Sequence, residues 1–68
     1  MNEIIFLVQE DPEGGFTARA LGSPIFTEGD TFEDLKCQVR DALACHFGYG
    51  AAPPLVRLHL QKDEVILS

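Results

Sequence analysis

Basic residues are scarce in this sequence. Across 68 residues there are five Lys and Arg against eleven Asp and Glu, a formal net charge of −6. The five, Arg19, Lys36, Arg40, Arg57 and Lys62, are scattered with no cluster. Holding a phosphate backbone requires Lys and Arg to displace its counterions, so direct DNA or RNA binding by this chain is disfavoured. The same deficit favours a basic protein partner, because complementary charge speeds encounter and suppresses wrong partners.

Histidine and cysteine are as sparse, with two of each. Cys37 and Cys45 are eight positions apart on what reads as one helix, a rise of roughly 12 Å, too far for one disulfide. Reduced thiols and a cytoplasmic location fit better. Cys45 and His46 are adjacent, which on a helix points them about 100° apart. Zinc needs ligands that converge tetrahedrally, and Cys37, Cys45, His46 and His59 do not offer that spacing. No metal and no cofactor are expected. Long apolar runs are missing too. Ile4 to Val8 is far too short to cross a bilayer, and Met1-Asn2-Glu3 lacks the basic start of a signal peptide. Without repeats, low-complexity tracts or a linker, residues 1–68 read as a single domain.

What the sequence does contain is an ordinary folded composition, with 46% apolar and 24% charged residues, which argues against disorder. A chain this short buries only about 60% of the surface it exposes when unfolded. Its core is therefore thin, and self-association is a natural source of further burial.

The order of elements reads strand, strand, strand, helix, strand, an α+β chain. Ile4-Ile5-Phe6-Leu7-Val8 is a β-branched and aromatic run of strand length. Glu10-Asp11-Pro12-Glu13-Gly14-Gly15 follows as a hairpin connection, proline presetting φ and glycine supplying positive φ. Phe16 to Leu21 alternates, with Phe16, Ala18 and Ala20 on one face and Thr17 and Arg19 on the other. Gly22-Ser23-Pro24 turns the chain into a short third strand, Ile25 to Glu28. Thr31 is a good helix N-cap, with Asp34 three positions on; Asp30 capping with Glu33 is the competing register. From Phe32, the apolar positions Leu35, Val39, Ala42, Leu43 and Phe47 share one helical face. Gly48 and Gly50 suit the helix end, and Pro53-Pro54 prevent its continuation. Val56, Leu58 and Leu60 then alternate with Arg57, His59 and Gln61. Lys62-Asp63 reads either as a tight turn into a last strand, Glu64 to Leu67, or as an irregularity in one long strand.

The first strand is apolar at every position from Ile4 through Ile5, Phe6 and Leu7 to Val8, so both its faces are expected to leave water. One amphipathic helix covers only one face of a sheet. A second copy of the chain is the expected cover for the other, since exposed apolar patches mark interaction sites. Acids gather at two places. Glu10, Asp11 and Glu13 crowd the first turn, and Glu28, Asp30, Glu33 and Asp34 crowd the helix start. Paired carboxylates perform acid–base chemistry only across a desolvated cleft, for which a domain this small has little room. Gly14-Gly15 joins two strands rather than leading into a helix, so it is a turn and not a phosphate loop. No nucleophile–base–orienter set is visible. The chain does not read as an enzyme. Glu10, Asp11, Glu13, Glu28 and Asp30 read instead as an acidic patch facing a partner.

Glu10-Asp11-Pro12-Glu13-Gly14-Gly15-Phe16, followed by Gly29-Asp30-Thr31-Phe32-Glu33-Asp34-Leu35 at the helix start, resembles the HicB-like antitoxin domain. In that family a strand runs into an acidic E-D-x-E-G-G-[YF] turn, and a G-D-T-[LF]-E-E segment caps the helix. The resemblance covers residues 3 to about 47 and is carried by both motifs at this spacing. It implies a β-β-β-α-β, partial ribonuclease-H-like fold. An antiparallel three-stranded meander carries one helix on one face, and the terminal strand lies beside the first. It also implies a homo-oligomer, dimer or tetramer, and a small basic toxin, an RNA-cleaving protein, that the domain neutralises by occlusion. The chain departs from the family in the short Leu21-Gly22-Ser23-Pro24-Ile25-Phe26 connection. It also stops at Ser68 with no DNA-binding segment after the domain, so repression through its own DNA contacts is not expected. The alternative function is a stand-alone homo-oligomeric scaffold or small-molecule-binding domain with no toxin partner.

Overall fold

The computed structural model describes residues 2–48, 50–62 and 65–67. Strands β1 (Glu3–Glu10), β2 (Phe16–Ala20) and β3 (Phe26–Gly29) precede helix α1 (Phe32–Phe47), and β4 (Leu55–Gln61) follows it. The sheet order is β3-β2-β1-β4. The first three strands form an antiparallel meander, with Val8 opposite Ala18 and Ala18 opposite Thr27. The helix then carries the chain back across the sheet, so β4 starts beside the start of β1. It therefore pairs with β1 in parallel, Ile4 opposite Val56 through Gln9 opposite Gln61. This is the expected β-β-β-α-β arrangement, with the terminal strand beside the first.

Alternation along the strands sets the layers. Ile4, Phe6 and Val8 of β1 face α1 and are buried, as are Ala18 and Ala20 of β2. Leu35, Val39 and Leu43, spaced at helical intervals, come down on them from α1, and Ile25 closes one side. The two alanines matter because their short side chains let the helix sit close over β2. Phe6, Ile4, Leu35 and Val8 are the largest fully buried side chains, each contributing about 1.5–3 kcal/mol of burial. Phe16 meets Phe32 edge-to-face at 5.6 Å, at the helix start.

Element boundaries shift slightly from the expected ones. β1 is longer at both ends than Ile4 to Val8, because Glu3 and Glu10 still pair with Leu55 and Phe16. Ile25 precedes β3 rather than opening it; its carbonyl accepts from the Ala20 amide at 2.9 Å, tightening the connection after β2. Thr31 is the N-cap, its hydroxyl accepting from the Asp34 amide at 3.0 Å. The competing Asp30 register is not used. Gly48 caps the other end at φ 86°. The turn expected at Lys62-Asp63 and the start of its following strand at Glu64 fall partly outside the described residues; Val65 to Leu67 carry no strand. Among the described residues no helix is long and apolar enough to cross a membrane. Leu35→Ala should cost about 2–5 kcal/mol of stability by urea denaturation. Phe26→Ala, at a site 63% exposed, should cost no more than about 0.5 kcal/mol.

Candidate protein-binding surfaces

The two motif segments meet at one end of the sheet. In the β1–β2 turn the Asp11 carboxylate accepts from the Glu13 amide at 2.9 Å, and the Asp11 carbonyl accepts from Gly14 at 2.9 Å. Gly14 and Gly15 take φ of 105° and 85°, a region that strongly favours glycine. The turn leans on the β3–α1 junction. A Cβ on Gly15 would fall 2.8 Å from the Gly29 carbonyl oxygen, and a Cβ on Gly29 would fall 2.6 Å from the Leu35 amide nitrogen. Both glycines are needed for backbone to touch backbone. The Asp34 carboxylate reaches back to accept from the Asp30 amide at 3.1 Å, a close variant of the capping box.

This contact gathers acids. Asp11, Glu28, Asp30 and Asp34 line one open depression of about 310 Å³, together with Gly14, Phe16 and Gly29. No Lys or Arg lines it. Of the acids expected to form a patch, Asp11, Glu28 and Asp30 are brought together. Glu10 turns to a separate hollow lined with Gln9, Pro12, Gln61 and Lys62, and Glu13 lines neither. Asp34, read from sequence as a helix-start charge, joins the ring because the cap folds it back toward Asp30.

The apolar run of β1 divides by face. Ile4, Phe6 and Val8 lie in the core, so they are not available to a partner; Ile5 and Leu7 are half-buried on the opposite, helix-free face. Phe26 shares that face through the register Leu7–Arg19–Phe26. Its exposure was missed because its strand is too short to show alternation. Two polar pairs bracket β1 and β4 on this side. Arg57 donates through Nε and Nη2 to the Glu3 carboxylate at 3.1 and 3.3 Å, and Gln9 Nε2 donates to Gln61 Oε1 at 3.3 Å. Such an exposed ion pair is worth about 0.2–1 kcal/mol. His59 sits opposite Leu7 on the same face and is exposed. His46 lies edge-on to Phe47 at 4.8 Å. Cys37 and Cys45 are exposed free thiols. Among the described residues no group of three or more His, Cys, Asp and Glu is arranged to hold a metal.

These features define a class: a small α+β domain with one helix on a four-stranded mixed sheet, whose distinctive surfaces are an acidic ring and an uncovered sheet face. The chain belongs to the UPF0150 family. It is 52% identical over 52 residues to a UPF0150 protein of Archaeoglobus fulgidus, covering 76% of this chain and 77% of that protein. It is 41% identical over 64 residues to a UPF0150 protein of Thermotoga maritima, covering 94% and 90%. No protein-family model and no solved structure matches the chain.

The glycine contact holds the ring together, which gives a direct test. Gly29→Ala forces a methyl into the helix backbone and should cost about 1–3 kcal/mol by urea denaturation. Thr31→Ala, which removes only the cap, should cost about 1 kcal/mol.

Proposed function

We propose that this chain is a protein-binding module of HicB-like antitoxin type, which neutralises a small basic RNA-cleaving protein by binding and occluding it. The observation that carries this reading is the ring of Asp11, Glu28, Asp30 and Asp34 around a depression free of Lys and Arg, on a chain of net charge −6. A ring of one sign steers an oppositely charged partner and fixes its orientation. The two segments that build the ring are those that resemble the HicB-like domain, Glu10 to Phe16 and Gly29 to Leu35. Basic residues are dispersed, with Arg19 and Arg57 on strands and Lys36 and Arg40 on α1, so DNA is not part of the proposal.

Homo-oligomerisation belongs to the same reading. Ile5 and Leu7, with the 63% exposed Phe26 beyond Arg19, form a broken apolar strip on the helix-free face, and a second copy is the proposed cover.

Co-expression with the product of a neighbouring small basic reading frame should yield a co-purifying complex and relieve any growth arrest that product causes. Reversing charge with Glu28→Lys and Asp30→Lys should weaken the complex at least tenfold, about 1.4 kcal/mol. Raising salt should weaken the unaltered complex. A complex indifferent to both changes would remove the acidic ring from the mechanism.

A further inference from the structure

The helix does not cover the whole of its own side of the sheet. α1 lies chiefly over β3 and β2, while β4 sits at the far edge beyond β1. A groove of about 240 Å³ is left between α1 and β4, lined by Lys36, Val39, Arg40, Val56 and Leu58. Its floor is aliphatic and its rim carries two of the five basic residues of the chain. Val56 and Leu60, which face this side, remain 39% and 44% exposed. Among the described residues the outer edge of β4 has no neighbouring strand. It also has no Pro, Gly or bulge to blunt it across Leu55–Gln61, and such an edge is a template for another strand.

A matching segment lies just past β4. Val65, Ile66 and Leu67 are 89%, 87% and 94% exposed, so they pack on little among the described residues. Two of the three are β-branched, as strands favour, and the sequence places the acids Asp63 and Glu64 directly before them. An acidic-then-aliphatic segment complements a groove with a cationic rim and an aliphatic floor.

We propose that residues 65–67 of one copy of this chain pair antiparallel with the β4 edge of a second copy, and that the exchange is reciprocal. A two-fold axis near Gln61 sets Ile66 opposite the partner copy's Val56 and Leu67 opposite its Leu55, which is 60% exposed. By strand alternation Ile66 then lies over the groove, while Val65 and Leu67 fall on the helix-free side. Both edges and both segments are satisfied at once, as an isologous contact requires. This contact is distinct from the one proposed for the Ile5, Leu7 and Phe26 strip, and it does not depend on any toxin.

Light scattering after size exclusion, at micromolar concentration, tests it. Ile66→Asp and a chain ended after Lys62 should both halve the mass of the edge-paired species with the circular dichroism spectrum unchanged, because these residues are outside the core. Leu7→Glu should leave that species intact. In a Cys37→Ser, Cys45→Ser background, Ile66→Cys with Val56→Cys should form a disulfide between chains under mild oxidation. An unaltered chain that is monomeric would overturn the proposal, and slow amide exchange at Val65 to Leu67 in that monomer would assign the edge to the chain's own segment. Dimers lost with Leu7→Glu but kept in both tail variants would overturn it in favour of the sheet face.

Discussion

One helix serves a sheet that has two faces and four strands, and most of what distinguishes this protein follows from that shortage. α1 brings down only Leu35, Val39 and Leu43 as buried side chains. With Ile25 and partly buried neighbours such as Phe32, Phe47 and Leu58, they close over Ile4, Phe6, Val8, Ala18 and Ala20. Nothing remains for Ile5 and Leu7 on the other side, or for the flank of β4. Among the described residues no second layer lies over them, in keeping with the unfavourable surface-to-volume ratio of small domains. Apolar surface left in this position is where association is expected, and it falls in two places, Ile5 and Leu7 on the helix-free face and Val56 and Leu60 on the helix side of β4.

The acidic ring has a different origin. It depends on backbone approach, not on burial. Gly15 against Gly29, and Gly29 against Leu35, bring the first turn and the helix start within contact distance. The carboxylates that ride on those segments are thereby collected. Two of the four have a local task as well: Asp11 closes its own turn and Asp34 ties down the Asp30 amide. Asp11 and Asp34 are therefore held in place by their own turn and cap, and no Lys or Arg lines the depression with them. The similarity to the UPF0150 protein of Thermotoga maritima, over 94% of the chain, spans this region.

Much of this was legible from residue order. Helical spacing from Phe32 to Phe47, the Thr31 cap and the glycine stop gave α1 nearly to the residue, because capping chemistry is local. The alternation in β2 and β4 assigned faces correctly for the same reason. Boundaries at Glu3, Glu10 and Ile25 were less visible, since they depend on which strand lies alongside. Glu3 and Glu10 read as polar ends in isolation, yet pairing with Leu55 and Phe16 carries the ladder out to them.

By itself, then, the sequence determined the element order, the helix and its caps, the aliphatic stripe of the core and the excess of negative charge. Each of these is set by neighbours within a few positions. Tertiary structure alone decided which acids share a depression, which half of the Ile4 to Val8 run is buried, and that β4 is left partly uncovered at an open edge. Those outcomes turn on contacts between residues far apart in the chain, such as Gly15 with Gly29 at the first turn and Ile4 with Val56 across the parallel pair. Local propensity carries no information about such distances; packing one helix on a four-stranded sheet does.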